Sequence, residues 1–254
     1  MKTCSCISLS GGQGKTTTSY FLSRLLASQG KKVLAIDCDP QANLTFYLNH
    51  DVEPNRPTLL EILTGVVKVE DGIYPTNYEN LFLIPSDKSL FKVSEYLSTS
   101  GTGAFILRLR LKDVAEIFDY AVIDVQPSRS QICLSAVGAS EKILIPVESA
   151  TKGVNSLIDT LDFLQEQEDL MVFRGDVLGI IPFRDRWVGR SQTKESKENI
   201  EAMKEIAEKI TIFPSILESE QFKKAIRNGL LLSDINHSDL QFAFDKIIEV
   251  LENE

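Results

Sequence analysis

The sequence predicts an α/β fold, a mostly parallel, doubly wound sheet flanked by helices. Apolar runs of strand length alternate with amphipathic stretches of helix length along the chain. The runs are near-continuously apolar, as strands buried on both faces require. A glycine-rich turn joins the first run directly to the first helix. At 254 residues and 43% hydrophobic content, the chain can bury one large core, and residues 1–254 are expected to form a single domain.

Taken in order, Cys4 to Leu9 is the first expected strand. The helix opening near Thr16 carries Tyr20, Phe21, Leu25 and Leu26 at helical spacing and stops near Gly30. Val33 to Asp37 is the second strand, Leu59 to Leu63 a short helix, and Leu81 to Pro85 the third strand. Helices are expected at Leu90 to Leu97 and Phe105 to Ile117, and the fourth strand at Tyr120 to Val125. Lys142 to Val147 is the fifth strand and leads into a long helix, Lys152 to Gln167. Val177 to Pro182 and Ile210 to Phe213 read as the last two strands, separated by a charged helix, Thr193 to Glu208. Gln221 to Asn228 and Asp239 to Glu252 close the chain as helices.

The stretch Ser10 to Thr17, Ser-Gly-Gly-Gln-Gly-Lys-Thr-Thr, has the chemistry of a phosphate cradle. Gly11, Gly12 and Gly14 let backbone N–H groups around Gln13 turn inward on an anion. Lys15 adds a point charge, and the Thr16 hydroxyl is suited to Mg²⁺. The helix that begins there, through Thr16 and Thr17, directs its unpaired amides and positive dipole end at the same place. Three carboxylates fall at strand ends, where ligands of open α/β sheets sit. Asp124 follows the apolar run Tyr120 to Ile123, the Walker B pattern of an acid that holds Mg²⁺. Asp37 is expected beside it as a metal ligand, and Asp39, two residues on, as the group that positions the attacking water.

Composition narrows the alternatives. A formal charge of −9 excludes a surface that is polycationic throughout, though not a local basic patch. The four cysteines, Cys4, Cys6, Cys38 and Cys133, lack metal-type spacing and read as reduced core residues of a cytosolic protein. No apolar run approaches the roughly 18 residues of a spanning helix, and a soluble, unprocessed cytoplasmic protein is expected.

A strict phosphate-loop pattern fails, because Leu9 occupies its first glycine position. Three blocks together are nonetheless specific: Gly11 to Thr17 after the first strand, Asp37-Cys38-Asp39-Pro40-Gln41-Ala42-Asn43 after the second, and Asp124-Val125-Gln126-Pro127 after the fourth. They resemble the ParA and MinD family of deviant Walker A ATPases, P-loop NTPases, over nearly the whole chain. Pro40-Gln41-Ala42-Asn43 is closer to the ParA branch. The resemblance implies ATP and Mg²⁺ as cofactors, a homodimer formed on ATP binding, non-specific binding to DNA with nucleoid association, and a small adaptor protein that stimulates slow hydrolysis. It also implies that the backbone around Pro182, Phe183, Arg184, Phe213 and Pro214 holds the base. No Asn-Lys-x-Asp guanine motif is present, which favours ATP.

Two departures stand out. The family carries a lysine before the paired glycines that crosses to the partner's phosphates, and here that position is Ser10. Either Lys15 and Mg²⁺ suffice, or another base takes the role; Lys152 is the candidate, at the start of the helix after Lys142 to Val147. The serine makes the chain most similar to the carboxysome-positioning subfamily. Gln126 stands where the family has a proline, which leaves the path of that loop open.

Candidate DNA-contacting bases are Arg184, Arg186 and Arg190, with Lys194 and Lys197, and Lys223, Lys224 and Arg227 on a late helix. Glu195, Glu198, Glu201 and Glu205 interleave with the first group, as on a solvated helix face. A MinD-like membrane role would need a basic amphipathic tail. The last helix has an apolar stripe, Leu240, Phe244, Ile247, Ile248 and Leu251, but Asp239, Asp245, Glu249 and Glu252 on its other face, so the stripe is expected to dock on the core and no membrane partner is expected. A nitrogenase-reductase-like enzyme is the other alternative; it requires a second cluster-ligating cysteine after Cys133, and the sequence has none.

Overall fold

A computed structural model describes residues 1–253. β1 (Lys2–Cys6) leads through the glycine turn to α1 (Lys15–Ser28) and β2 (Val33–Cys38). Then come α2 (Asn43–Tyr47), α3 (Leu59–Thr64), the short β3 (Tyr74–Pro75), β4 (Leu81–Ile84), α4 (Val93–Thr99) and α5 (Ile106–Leu111). The second half is β5 (Tyr120–Val125), α6 (Gln131–Ala139), β6 (Lys142–Glu148), α7 (Thr151–Asp169) and β7 (Asp176–Asp185). It continues with a hairpin of β8 (Trp187–Val188) and β9 (Ser191–Gln192), then α8 (Lys194–Ala207), β10 (Ile216–Leu217), α9 (Glu220–Asn228) and α10 (Phe242–Asn253).

The main sheet has eight strands in the order β10-β7-β6-β1-β5-β2-β4-β3. Only the β3–β4 pair is antiparallel. Alternate strand residues feed two cores. Leu34 and Ile36 of β2 face the layer that contains α3 to α8, whereas Val33 and Ala35 face α1, α9 and α10. Such two-sided burial is the reason the strands read as continuous apolar runs.

Several expected boundaries move. β1 ends at Cys6, because the chain from Ser8 onward already turns into the phosphate loop. Helix 105–117 is interrupted: α5 spans Ile106–Leu111 and passes into a 3-10 turn, Lys112–Val114. The expected strand at Ile210 to Phe213 reduces to one bridge, Ile212 with Ile180, and the edge strand is β10 instead. Phe213 lays its ring against Gly179, where a Cβ would come within 2.4 Å of it, and the ladder resumes only after Pro214, which has no N–H to donate.

The apolar stripe of the last helix docks inside. Phe244 is fully buried, 5.3 Å from the ring of Phe21 on α1 and 6.3 Å from Phe222 on α9. Among the described residues no helix is long and apolar enough to cross a membrane. Phe244→Ala is expected to cost about 3–5 kcal/mol, read as a lower urea midpoint at unchanged m-value; an unshifted midpoint contradicts this docking.

Candidate functional site

At the carboxyl ends of β1, β2 and β5 lies a cavity of about 450 Å³ whose floor is the loop Gly11 to Thr17. Gly12 and Gly14 adopt positive φ, +84° and +95°. At Gly14 the demand is double, since a Cβ there would stand 2.5 Å from the Phe183 ring. α1 starts at Gly14 with no side-chain cap, so its first amides are left for an anion.

The lysines frame this loop from two sides. Lys15 is buried and donates from Nζ to the Ser10 carbonyl at 2.9 Å. Burial lowers its pKa, and Asp124 and Asp39 oppose that shift. Lys152, in the first turn of α7, donates to the Gly11 carbonyl at 3.2 Å from the solvent side. That close approach depends on Gly153, because a Cβ at 153 would lie 1.9 Å from the Glu148 carbonyl oxygen. Gln13 ties the loop to the end of β6: it is fully buried and its Oε1 accepts from the Glu148 amide at 2.7 Å. Glu148 in turn pairs with Arg184 at 3.2 Å.

The three carboxylates separate into different tasks. Asp39 lines the cavity, and its Oδ1 accepts from the Gln41 amide at 2.8 Å. Asp37, expected as a metal ligand, is fully buried with both oxygens engaged. Oδ2 accepts from the amide and hydroxyl of Thr45, each at 2.8 Å, and Oδ1 from the Asp39 amide at 3.1 Å. It fastens the loop that carries Asp39. Asp124 accepts from the Ser19 hydroxyl at 3.2 Å through Oδ1, while its Oδ2 is buried without a hydrogen-bond partner. Burial first, and then the neighbouring Asp37 charge, raise the Asp124 pKa to about 8 against the Thr16 hydroxyl and Lys15, which lower it. Burial likewise raises Asp37 to about 6.

These residues fit a divalent cation held jointly with a phosphate. Asp124 has an unpartnered oxygen beside the Thr16 hydroxyl, and among the described residues no cluster of three or more His, Cys, Asp or Glu could hold a metal alone. Mg²⁺ is bound in this way, through one or two protein oxygens completed by substrate phosphate.

Of the expected base-holding residues, Phe183 and Arg184 reach the cavity wall, Arg184 at a positive φ of 54°. Pro182 pairs with Val147 inside the sheet and the Phe213 side chain is in the core, so these two would meet a base through their backbone. Gln41, Asn43, Phe91, Gln126 and Pro127 also line it. Asn43 and Gln126 belong to the diagnostic sequence blocks, whereas Phe91 carries no sequence signal and shows itself only as a large apolar side chain left 57% exposed. Cys133 is buried, with burial pushing its thiol up to about 12, so it is no surface thiolate.

A family model described as an AAA domain matches residues 1–172. The chain is 53% identical to the maintenance of carboxysome distribution protein A of Gloeothece citriformis, covering 99% of this chain and 97% of that one. It is 33% identical to a probable plasmid-partitioning protein ParA of Thermus thermophilus, over 80% of this chain and 65% of the relative. Among solved structures, a variant of the Cyanothece protein McdA in complex with ATP superposes with a TM-score of 0.97 at 53% identity, covering 99% of this chain and 96% of that chain.

The raised pKa of Asp124 has a testable sign. Between its ordinary value of 3.8 and about 8, the folded protein without Mg²⁺ or nucleotide holds a proton that the unfolded chain releases. This group therefore lowers stability progressively as pH rises through that window. Asp124→Asn is expected to melt a few degrees above the parent at pH 8.5 in the absence of Mg²⁺, with the gain shrinking toward pH 5; a pH-independent difference contradicts the assignment.

Proposed function

Because this chain belongs to the ParA-type ATPase family that includes the carboxysome distribution protein A relatives, we propose that it is an ATP-driven positioning switch. On this reading it forms an ATP-sandwich homodimer, binds DNA without sequence preference on the nucleoid, and releases it when a small adaptor protein stimulates slow hydrolysis. The cargo on this reading is the carboxysome, the object in the name of the Gloeothece citriformis relative.

The observation that carries the proposal is the position of Lys152. Its ammonium rests on the Gly11 carbonyl, at the lip of the loop where the related ATPases carry a crossing lysine and this chain has Ser10. ATP phosphates entering the cradle compete with two backbone carbonyls, those of Ser10 and Gly11, for Lys15 and Lys152. A phosphate oxygen is the stronger acceptor for an ammonium, so both side chains transfer to it, Lys15 within the subunit and Lys152 to the partner's phosphates. Mg²⁺, when bound, neutralises developing phosphate charge. Thr16 and Asp124 hold the cation site, and Asp39, steadied by Gln41, orients the attacking water.

DNA contact falls to α9 together with the unpaired bases of the hairpin side. Lys224 and Arg227 on α9, and Arg190 and Lys197 on the hairpin side, are exposed and form no ion pair among the described residues, whereas Arg184, Arg186, Lys194 and Lys223 are paired with Glu148, Glu218, Glu198 and Glu220. Exposed pairs of this kind are weak and can exchange for phosphates, but they lower the net positive field of the hairpin side. In a two-fold dimer the α9 bases are doubled, and affinity falls steeply with salt. A membrane reading lacks support, since the apolar face of α10 is buried.

Lys152→Ala is expected to remain folded but monomeric with ATP and Mg²⁺ in sedimentation experiments; a dimer indistinguishable from wild type overturns its role. Asp39→Ala is expected to accumulate as an ATP-bound dimer with turnover reduced ~10²-fold or more, and rapid hydrolysis by that variant refutes the role given to Asp39. Replacing Lys224 and Arg227 together by alanine is expected to weaken DNA binding and flatten its dependence on salt. Equal DNA binding with ADP, ATP and no nucleotide contradicts the switch.

A further inference from the structure

At the far end of α1 from the phosphate loop, Arg24 is only 8% exposed, yet it forms no ion pair among the described residues. Its guanidinium carbon lies 3.3 Å from the Tyr78 ring centroid and 5.8 Å from that of Tyr20. Nη1 donates to the Gly229 carbonyl at 3.2 Å and, more weakly, to the Tyr20 hydroxyl at 3.5 Å. Nε and Nη2 have no hydrogen-bond partner among the described residues, and they are not sealed from solvent. Arg24 lines a cavity of about 460 Å³ with Ser28, Asn77, Tyr78, Glu79 and Asn80.

A guanidinium taken out of water without a counter-charge is costly, and stacking on tyrosine offsets only part of that cost. The two unused nitrogens lie on one edge of a planar fork, the arrangement that accepts a carboxylate with two parallel hydrogen bonds. Asn77 and Asn80 amides add donors around the same space, while the Ser28 hydroxyl already donates to the Leu25 carbonyl at 2.8 Å. Glu79 on the rim and the overall charge of −9 work against a doubly charged ligand. We infer that this cavity is a binding site for a singly charged carboxylate, seated on Arg24 and separate from the nucleotide site. The source is either a small carboxylic acid or an acidic side chain of a partner protein, since both present the same group. Tyr78 and Gly229 keep the seat rigid: a Cβ at Gly229 would meet the Tyr78 hydroxyl at 2.7 Å.

The test uses the full ¹⁵N-labelled chain with ADP and Mg²⁺ saturating the phosphate loop, so that added anions cannot report from there. Acetate, a capped tripeptide with one central glutamate, and inorganic phosphate are titrated separately while the Arg24 Nε–H and the amides of Asn77 to Asn80 are followed by NMR. Saturable shifts with acetate and the tripeptide, and at least tenfold weaker binding of phosphate, are expected. Equal affinity of acetate and tripeptide identifies a small acid as the source, and tighter binding of the tripeptide identifies a protein side chain. Arg24→Gln is expected to weaken carboxylate binding at least tenfold at the Asn77 to Asn80 amides. Asn80→Asp, at a φ of 61° that aspartate tolerates, is expected to fill the seat internally, moving the Arg24 signal without ligand and weakening acetate binding at least tenfold. No saturable shift with either carboxylate, or phosphate binding as tightly as they do, overturns the inference. Because the phosphate loop is filled throughout, the result is independent of dimerisation and hydrolysis.

Discussion

The register of three parallel strands is the constraint from which the site follows. Cys6 of β1 lies opposite Asp124 of β5, and Asp124 lies opposite Asp37 of β2. This places two carboxylates side by side, fully out of water, directly behind the loop that leaves β1. Burial raises the pKa of both, and the Asp37 charge adds to the rise at Asp124, whereas hydrogen bonds from Thr45 and the Asp39 amide hold Asp37 lower. The protein resolves the two differently. Asp37 takes three hydrogen bonds and becomes part of the scaffold, while Asp124 keeps one oxygen unpartnered. A buried, unpartnered carboxylate oxygen is an unstable arrangement in isolation and a good one for a cation delivered with phosphate.

The positive side of the site is distributed in a complementary way. Lys15 is fixed by its place in the loop, but Lys152 arrives from a different element and reaches the loop because three things coincide. β6 ends beside β1, Gln13 clamps the Glu148 amide to the loop, and Gly153 allows the first turn of α7 to press on the Glu148 carbonyl. The charge absent at Ser10 is thus available from a helix start that the sheet order brings to the same lip. Both lysines donate to backbone carbonyls, which are weaker acceptors for an ammonium than a phosphate oxygen.

How much of this the amino-acid sequence discloses depends on the range of the interaction. The phosphate loop, the Asp37 to Asn43 segment and the Asp124 strand end are local patterns, and they locate the cavity floor, Asp39 on its wall and the two buried acids by it. Lys152 is legible for a related reason, since it begins the helix after a strand that must neighbour β1. Asp37 and Asp124 look equivalent in sequence, because which of two buried acids becomes scaffold depends on Thr45, eight residues past Asp37 and positioned only by the fold. What Pro182 and Phe213 can offer a base is set by strand pairing and core packing, both long-range, which claim their side chains. Phe91 and Arg24 owe their significance to surroundings that are remote in sequence, and periodicity carries no trace of either.

The claim on which the account rests is that Lys152 supplies the charge that Ser10 does not. Light scattering of the Ser10→Lys, Lys152→Ala double variant in ATP and Mg²⁺ tests it most directly. The account predicts that a lysine returned to position 10 restores the ATP-dependent dimer that Lys152→Ala alone lacks. A double variant that stays monomeric, while still binding ATP, would contradict it.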